Sequence, residues 1–388
     1  MEEAVPPAPA PPVPPLLPFD DPWQIRTQSC TFEDLVTAGE VVSLNHIRDM
    51  SGQRNISLVR EGTKFACAPD QVEGFKKYLS NLAILIDQEG ERFDLDFEWS
   101  SPLSGRAGRF FRLNGLKKEQ GMATFLYASL LRQLGHQGVQ DMLRLSPGST
   151  ALPADSEAAA TVLAAAATQL RQAAGVYDYL AEVMLPPLFT SLKGDRPAEI
   201  MARLSSVMCQ LCLAEAQALT AFRAGQRASS SGSLVASLHC GAAELYEKAA
   251  KVIRDYIGDF TIASDRLRRY IAIGSSLATA RAHKVMASEL LAKSEAGQAE
   301  RSCLDAQQLL GVAMNAADID GAWRAVLQQE LADVERIKKP IESDRLIVYC
   351  QPLPREAHPL PAAKVLVSLV LYQLEKISST TAELAMQS

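Results

Sequence analysis

Apolar and polar positions along the chain fall into two rhythms. Between Gln71 and Asp87 the apolar residues Val72, Phe75, Tyr78, Leu79, Leu82, Leu85 and Ile86 recur at three- and four-residue steps. That spacing stacks them on one face of a helix. Phe93, Leu95, Phe97 and Trp99 then alternate with acids, which predicts a strand. A Ser/Gly loop over residues 103–108 separates it from a second short apolar run, Phe110, Phe111 and Leu113. The polar stretch from Glu40 to Gly62 is read as a further helix with unplaced ends.

From Glu119 onward the helical rhythm dominates. Met122 to Leu134 is an apolar helix, and residues 146–153 form a loop. Ser156 can cap the next helix, whose face runs Leu163, Ala166, Leu170, Ala173, Tyr177, Leu180 and Met184 before Pro186 and Pro187 end it. Pro197 and Ala198 open a helix running to about Arg227. A Ser/Gly break at residues 229–233 precedes a helix from Leu234 to about Tyr256, and Asp259 to Leu277 forms the next. Arg281 to Ala292 and Ala296 to Met314 form a hairpin around Gly297, and their small residues Ala282, Ala287, Ala299 and Ala306 match the packing positions of a tetratricopeptide-like pair. Gly321 to Lys339 is the last long helix, stopped by Pro340. The expectation beyond it is an extended tail over 341–364 lying along the body, with 365–374 packing back as strand or helix.

Composition sharpens this picture of a mainly α protein. The 388 residues are 47% hydrophobic and 22% charged, which is ordinary globular composition. The net charge of −6 with interspersed signs argues against a nucleic-acid partner, and the cluster Arg266, Arg268 and Arg269 reads as a solvated helix face. Residues 1–18 are proline-rich and read as a disordered arm, a solvating tail or a ligand for an SH3 or WW domain. Residues 19–375 read as one domain and 376–388 as a flexible tail. No secretory signal or membrane-spanning stretch is evident, and the terminal Ala-Met-Gln-Ser lacks the cysteine of a prenylation signal. Seven cysteines, an odd number set mostly in apolar helical patterns, read as reduced buried thiols of a cytosolic protein.

The search for catalytic chemistry finds none. The five histidines lack partners at motif spacing. Cys209 and Cys212 form a lone C-x-x-C without the two further ligands that zinc would need, so neither metal nor cofactor is expected. Gly115 to Gly121 lacks the Lys-Ser/Thr of a phosphate loop, because Met122 follows the second glycine.

Five blocks in order carry a resemblance. They are LDFEWSSPL at 95–103, FRLNGLKKEQGMATFLYASLLRQLG at 111–135, AAGVYDYLAEVML at 173–185, VMCQLCLAEAQALTAFRA at 207–224 continued by SLVASLHCGAAELYEKA at 233–249, and SDRLIVYCQPLP at 343–354. Together they resemble the ALIX-type BRO domain family, and most of all its short plant and algal members. The resemblance implies an elongated, curved, banana-shaped helical array with a tetratricopeptide-like core and a small β-sheet. It also implies a non-enzymatic, monomeric adaptor in the cytoplasm, peripherally recruited to endosomal membranes through its partners. Its partner would be the amphipathic C-terminal helix of an ESCRT-III subunit, docked on an apolar patch. Carried over, that patch falls on Leu234, Val235 and Leu238. Leu234 and Leu238 share a helix face, as would also be true of two core residues. Thr220 departs from the family pattern, which has a large aromatic there, and Phe222 lies two residues on. Two alternatives remain at this point: a tetratricopeptide-like co-chaperone adaptor with a basic clamp, and a small-molecule enzyme on a helical scaffold.

Overall fold

The computed structural model describes residues 13–30, 44–59, 68–89, 95–105, 108–144, 157–191, 195–227, 229–256 and 258–374. Residues 1–12, the Ser156 cap, the 146–153 loop and the 376–388 tail lie outside the described residues. The helices are α1 (Leu44–Leu58), α2 (Gln71–Glu89), α3 (Leu116–Arg144), α4 (Glu157–Tyr179), α5 (Ala202–Gly225), α6 (Gly232–Asp255), α7 (Asp265–Ala292), α8 (Ala296–Met314) and α9 (Gly321–Ser343). Each helix from α1 to α9 packs chiefly on its sequence neighbours, α2 and α3 across the excursion that holds the sheet included, which builds an elongated helical array. The sheet is an antiparallel pair, β1 (Asp96–Ser100) with β2 (Phe110–Asn114), in register Trp99 opposite Phe111. It packs on α3 through the buried Phe97, Trp99 and Leu113.

The expected elements are present with instructive differences at their ends. The helices expected over 259–277 and 281–292 are largely one, α7, because no glycine or proline breaks the buried run Leu277, Ala278, Ala280, Arg281 and Ala282. Pro340 does not stop α9 but lies inside it. The carbonyl it deprives belongs to the exposed Arg336, where water can serve, and buried Ile341 holds the next turn against the body. Helical structure then continues through a wide turn, Asp344–Val348, so only 349–374 of the tail is extended. Within it, residues 365–374 form neither strand nor helix. The start expected at Pro197 is a separate short turn, Ala198–Ile200, broken from α5 by the extended Met201.

The largest correction concerns the N-terminal arm. Residues 13–18 are not a free coil: Leu16 and Leu17 are buried and Phe19 is wholly so. The segment runs across the array and is held by three buried Arg–Glu pairs, one after another. Arg281 of α7 pairs with Glu330 of α9 at 2.8 Å and donates to the carbonyls of Pro14 and Pro15, each at 2.7 Å. Arg132 of α3 pairs with Glu215 of α5 and donates to the Phe19 carbonyl at 2.6 Å. Arg54 of α1 pairs with Glu119 of α3 and donates to the Gln28 carbonyl and the Thr27 hydroxyl, each at 2.7 Å. Residues 26–28 finally lie along β1, where the Ser100 N–H donates to the Arg26 carbonyl. Each guanidinium thus satisfies a backbone that has left regular structure, and each carboxylate neutralises the arginine that does so.

Candidate partner-binding surface

The surface singled out by the sequence lies where α6 begins. Ser231 caps the helix by accepting from the Leu234 N–H at 3.3 Å, and Glu289 of α7 accepts from the Gly232 N–H at 3.1 Å. The two contacts fix the entry of α6 and present Leu234 at 36% exposure. Val235 and Leu238 are placed differently: they are 4% and 2% exposed and belong to the interior. A patch made of all three side chains therefore does not exist on the surface, because the next residue around the helix and the next turn both face the packed side. Thr220 hydrogen-bonds back to the Ala216 carbonyl, and Phe222 is half-buried against the cluster that includes Leu219 and Ala242.

What covers the following turn of α6 is the chain's own C-terminal segment. Residues 349–374 form a strap that crosses α8, α6, α5 and α4 in reverse order. Gln351 begins it by accepting from the Gly297 N–H and donating to the Ser294 carbonyl. At α6 the Lys364 N–H donates to the Ser237 carbonyl at 2.9 Å. Gln217 of α5, fully buried, then grips the strap with both ends of its amide. Its Nε2 donates to the Lys364 carbonyl at 2.9 Å and its Oε1 accepts from the Leu366 N–H at 3.0 Å. At α4 Arg171 donates to the Ser368 carbonyl at 2.6 Å, and its own carbonyl accepts from the Val370 N–H. Tyr372 ends the crossing between the rings of Tyr179 and Tyr127, at centroid distances of 5.4 and 6.1 Å. A cavity of about 530 Å³ adjoins this end, lined by Val72, Lys76, Tyr127, Leu131 and Val176 with the strap as one wall.

Three glycines, each in a different helix, admit the strap. A Cβ on Gly175 or Gly241 would overlap the carbonyls of Val370 or Lys364, and one on Gly297 would lie 2.5 Å from the Pro352 carbonyl. From the sequence, Gly297 stood out only as the centre of a hairpin, and Gly175, Gly241 and Gln217 did not stand out. A signal was available: glycine inside an alanine-rich helix costs about 1 kcal/mol relative to alanine and marks close backbone approach. The strap's inward side chains include Val367, Leu369 and Tyr372, while Val365, Leu366, Val370 and Leu371 face outward at 37–82% exposure. Leu234 is thus exposed at the start of α6 and Val365 and Leu366 where the strap crosses that helix, while Val370 and Leu371 lie at α4.

Reactive chemistry does not assemble here. Among the described residues no group of three or more His, Cys, Asp or Glu is placed to hold a metal ion. Burial, then the nearby Arg281, pushes the His239 imidazole down to about 3. Burial pushes the Cys209 thiol up to about 12, so it is no thiolate nucleophile. No described helix is long and apolar enough to cross a membrane.

A family model described as BRO1-like domain matches residues 43–385. The chain belongs to the BRO1-like domain family. The human BRO1 domain-containing protein BROX is 32% identical over 140 residues, and the mouse protein 32% over 146. The human match spans 36% of this chain and 33% of the relative's length. Among solved structures, one of an ALIX BRO1 CHMP4C complex aligns with 92% of this chain and 95% of its own, at a TM-score of 0.66 and 14% identity. A Bro1 domain solved as the basis for endosomal targeting aligns with 89% of this chain and 90% of its own, at a TM-score of 0.61 and 15% identity. These likenesses establish the shared fold.

Proposed function

We propose that this chain is a non-enzymatic adaptor whose partner is the amphipathic C-terminal helix of an ESCRT-III subunit. The supporting observation is the exposed Leu234 at the capped start of α6, with the outward Val365 and Leu366 where the strap crosses the same helix, in a chain with the fold of a domain solved together with CHMP4C. An amphipathic helix reads such a surface through apolar anchors three and four residues apart. Val235 and Leu238 support Leu234 from beneath and do not meet the partner themselves. In this reading the protein acts as a monomer in the cytoplasm and reaches endosomal membranes, in multivesicular-body sorting or related remodelling, through its partner. An SH3 or WW domain would find its proline ligand in residues 1–12, upstream of the packed segment.

The test is Leu234→Asp, titrated against a panel of ESCRT-III C-terminal helices and melted in parallel. A charge set into an apolar contact loses its hydration without gaining a partner, at a cost of about 2 kcal/mol or more. The expected result is binding weakened by at least about thirty-fold with an unchanged melting temperature. Unchanged binding, or no binding of any panel member by the wild type, would reject the assignment.

A further inference from the structure

The N-terminal segment rests in a cleft between α7 and α9 whose polar lining consists of donors. Arg281 directs two guanidinium nitrogens at the Pro14 and Pro15 carbonyls, and the Trp323 indole N–H donates to the Pro18 carbonyl at 2.5 Å. Proline has no N–H, so a proline-rich backbone offers acceptors and little else. The cleft therefore fits the hydrogen-bonding character of what fills it. Arg281 is 7% exposed and Trp323 1% exposed. Glu330 holds the guanidinium in place from the opposite side, and Lys284 shares that carboxylate. Leu16 and Leu17 drop into the core, and Phe19 stacks on Tyr270 at 4.4 Å with the rings 14° apart. An indole N–H and an arginine presented to proline carbonyls, with apolar slots for the residues between, is the chemistry by which aromatic-lined grooves bind proline-rich ligands.

We propose that the α7–α9 cleft is a receptor for proline-rich peptides, filled in cis by residues 13–18 and open to such a peptide in trans once that segment leaves. This assignment is independent of the surface at α6 and of any ESCRT-III partner. It also means that an external proline-binding domain reaching past residue 12 must compete with the cleft for the chain.

The experiment uses the full chain and a labelled synthetic peptide of residues 5–20, followed by fluorescence anisotropy. The wild type, with its cleft filled, should show no saturable binding. Leu17→Asp, which removes the buried leucine of the resident segment, should bind the peptide. Adding Trp323→Phe, which deletes the indole donor and keeps an aromatic ring, should weaken that binding by at least about five-fold, the loss of one neutral hydrogen bond. A peptide with its prolines replaced by alanine should bind no better than background. A Leu17→Asp chain that melts cooperatively near the wild type yet binds no peptide overturns the proposal, as does an affinity indifferent to Trp323→Phe. Should Leu17→Asp fail to fold, limited proteolysis decides between the wild type and the single variant Trp323→Phe. Cleavage within residues 13–18 that is several-fold faster in the variant, at equal melting temperature, supports the assignment, and equal cleavage overturns it.

Discussion

The two ends of the described chain both cross the helical array as extended segments, yet charge and shape hold them in different proportions. Residues 13–28 are fastened by charge: three arginines, each neutralised by a buried glutamate, donate to their backbone. Residues 349–374 are fastened mostly by shape: three glycines leave room for their backbone and one buried glutamine pairs with it, while charge enters only where Arg345, paired with Glu300, donates to the Gln351 carbonyl and Arg171 to the Ser368 carbonyl. From Ala357 to Leu374 the strap has a single charged side chain, Lys364. A charged clasp is directional and fails badly, since removing one partner strands the other in the core. A shape clasp is made of many small contacts and fails by displacement. Removing a charged partner at the first end should therefore cost the whole fold, and removing a contact at the second should release the strap locally.

Glu215→Ala should have the largest effect. It leaves Arg132 buried without its carboxylate and also frees the Tyr270 hydroxyl that donates to Glu215 at 2.6 Å. The expected loss is about 3–5 kcal/mol of unfolding free energy, read by urea denaturation. A loss under about 1 kcal/mol would remove the distinction between the two ends.

Gly175→Ala comes next. The new methyl meets the Val370 backbone rather than a yielding side chain, so the strap must lift. The expected cost is about 1–3 kcal/mol, with protease cleavage inside 349–374 appearing well below the melting temperature. A cost as large as that of Glu215→Ala, without early cleavage, would show that the strap is as integral as the charged end.

Gln217→Ala should be milder, at about 1–2 kcal/mol. Water can reach the strap's freed N–H and carbonyl once the amide is gone, because Val365 and Leu366 are already exposed. Faster hydrogen exchange at the Leu366 amide is the expected reading, and unchanged exchange would remove Gln217 from the clasp.

The comparison sharpens with pH. Burial alone would raise the Glu215 and Glu330 carboxyls, but Arg132 with His136, and Arg281 with Lys284, bring each down to about 2. A folded-state value below the unfolded one of 4.5 gives stability that is present above pH 4.5 and lost as the pH falls toward 2. Glu199 has no such cation. Burial pushes it up to about 7, against hydrogen bonds from the Ser101 hydroxyl and the Leu103 N–H. Its contribution is present below pH 4.5 and lost as the pH rises through about 7. Glu199→Gln should therefore flatten the fall in melting temperature between pH 5 and 8 while leaving the acid limb intact. An unaltered slope between pH 5 and 8 would assign that limb to other groups.

Much of this was legible in the residues. The face of α2, the alternation around Trp99, the long helices after Glu119 and the ordered blocks of the family all depend on local pattern, which a sequence displays directly. Leu234 was legible as apolar and helical, but not as the exposed member of its trio. Periodicity says which face of a helix is apolar, and not which neighbour covers it. At α6 that neighbour is a strap more than a hundred residues later in the chain.

The sequence by itself determined most of the helices, the first strand and the membership of the chain in its family. Local propensity and spacing set the elements, and the ordered blocks marked the family. Only the tertiary structure decided that Pro14 and Pro15 meet Arg281, that Gln217 holds Lys364 and Leu366, and that Val235 and Leu238 lie inside. Those contacts join residues 147–267 positions apart. Each exists because a donor, a notch or an apolar slot is completed by a distant segment, and no local pattern records which segment that is.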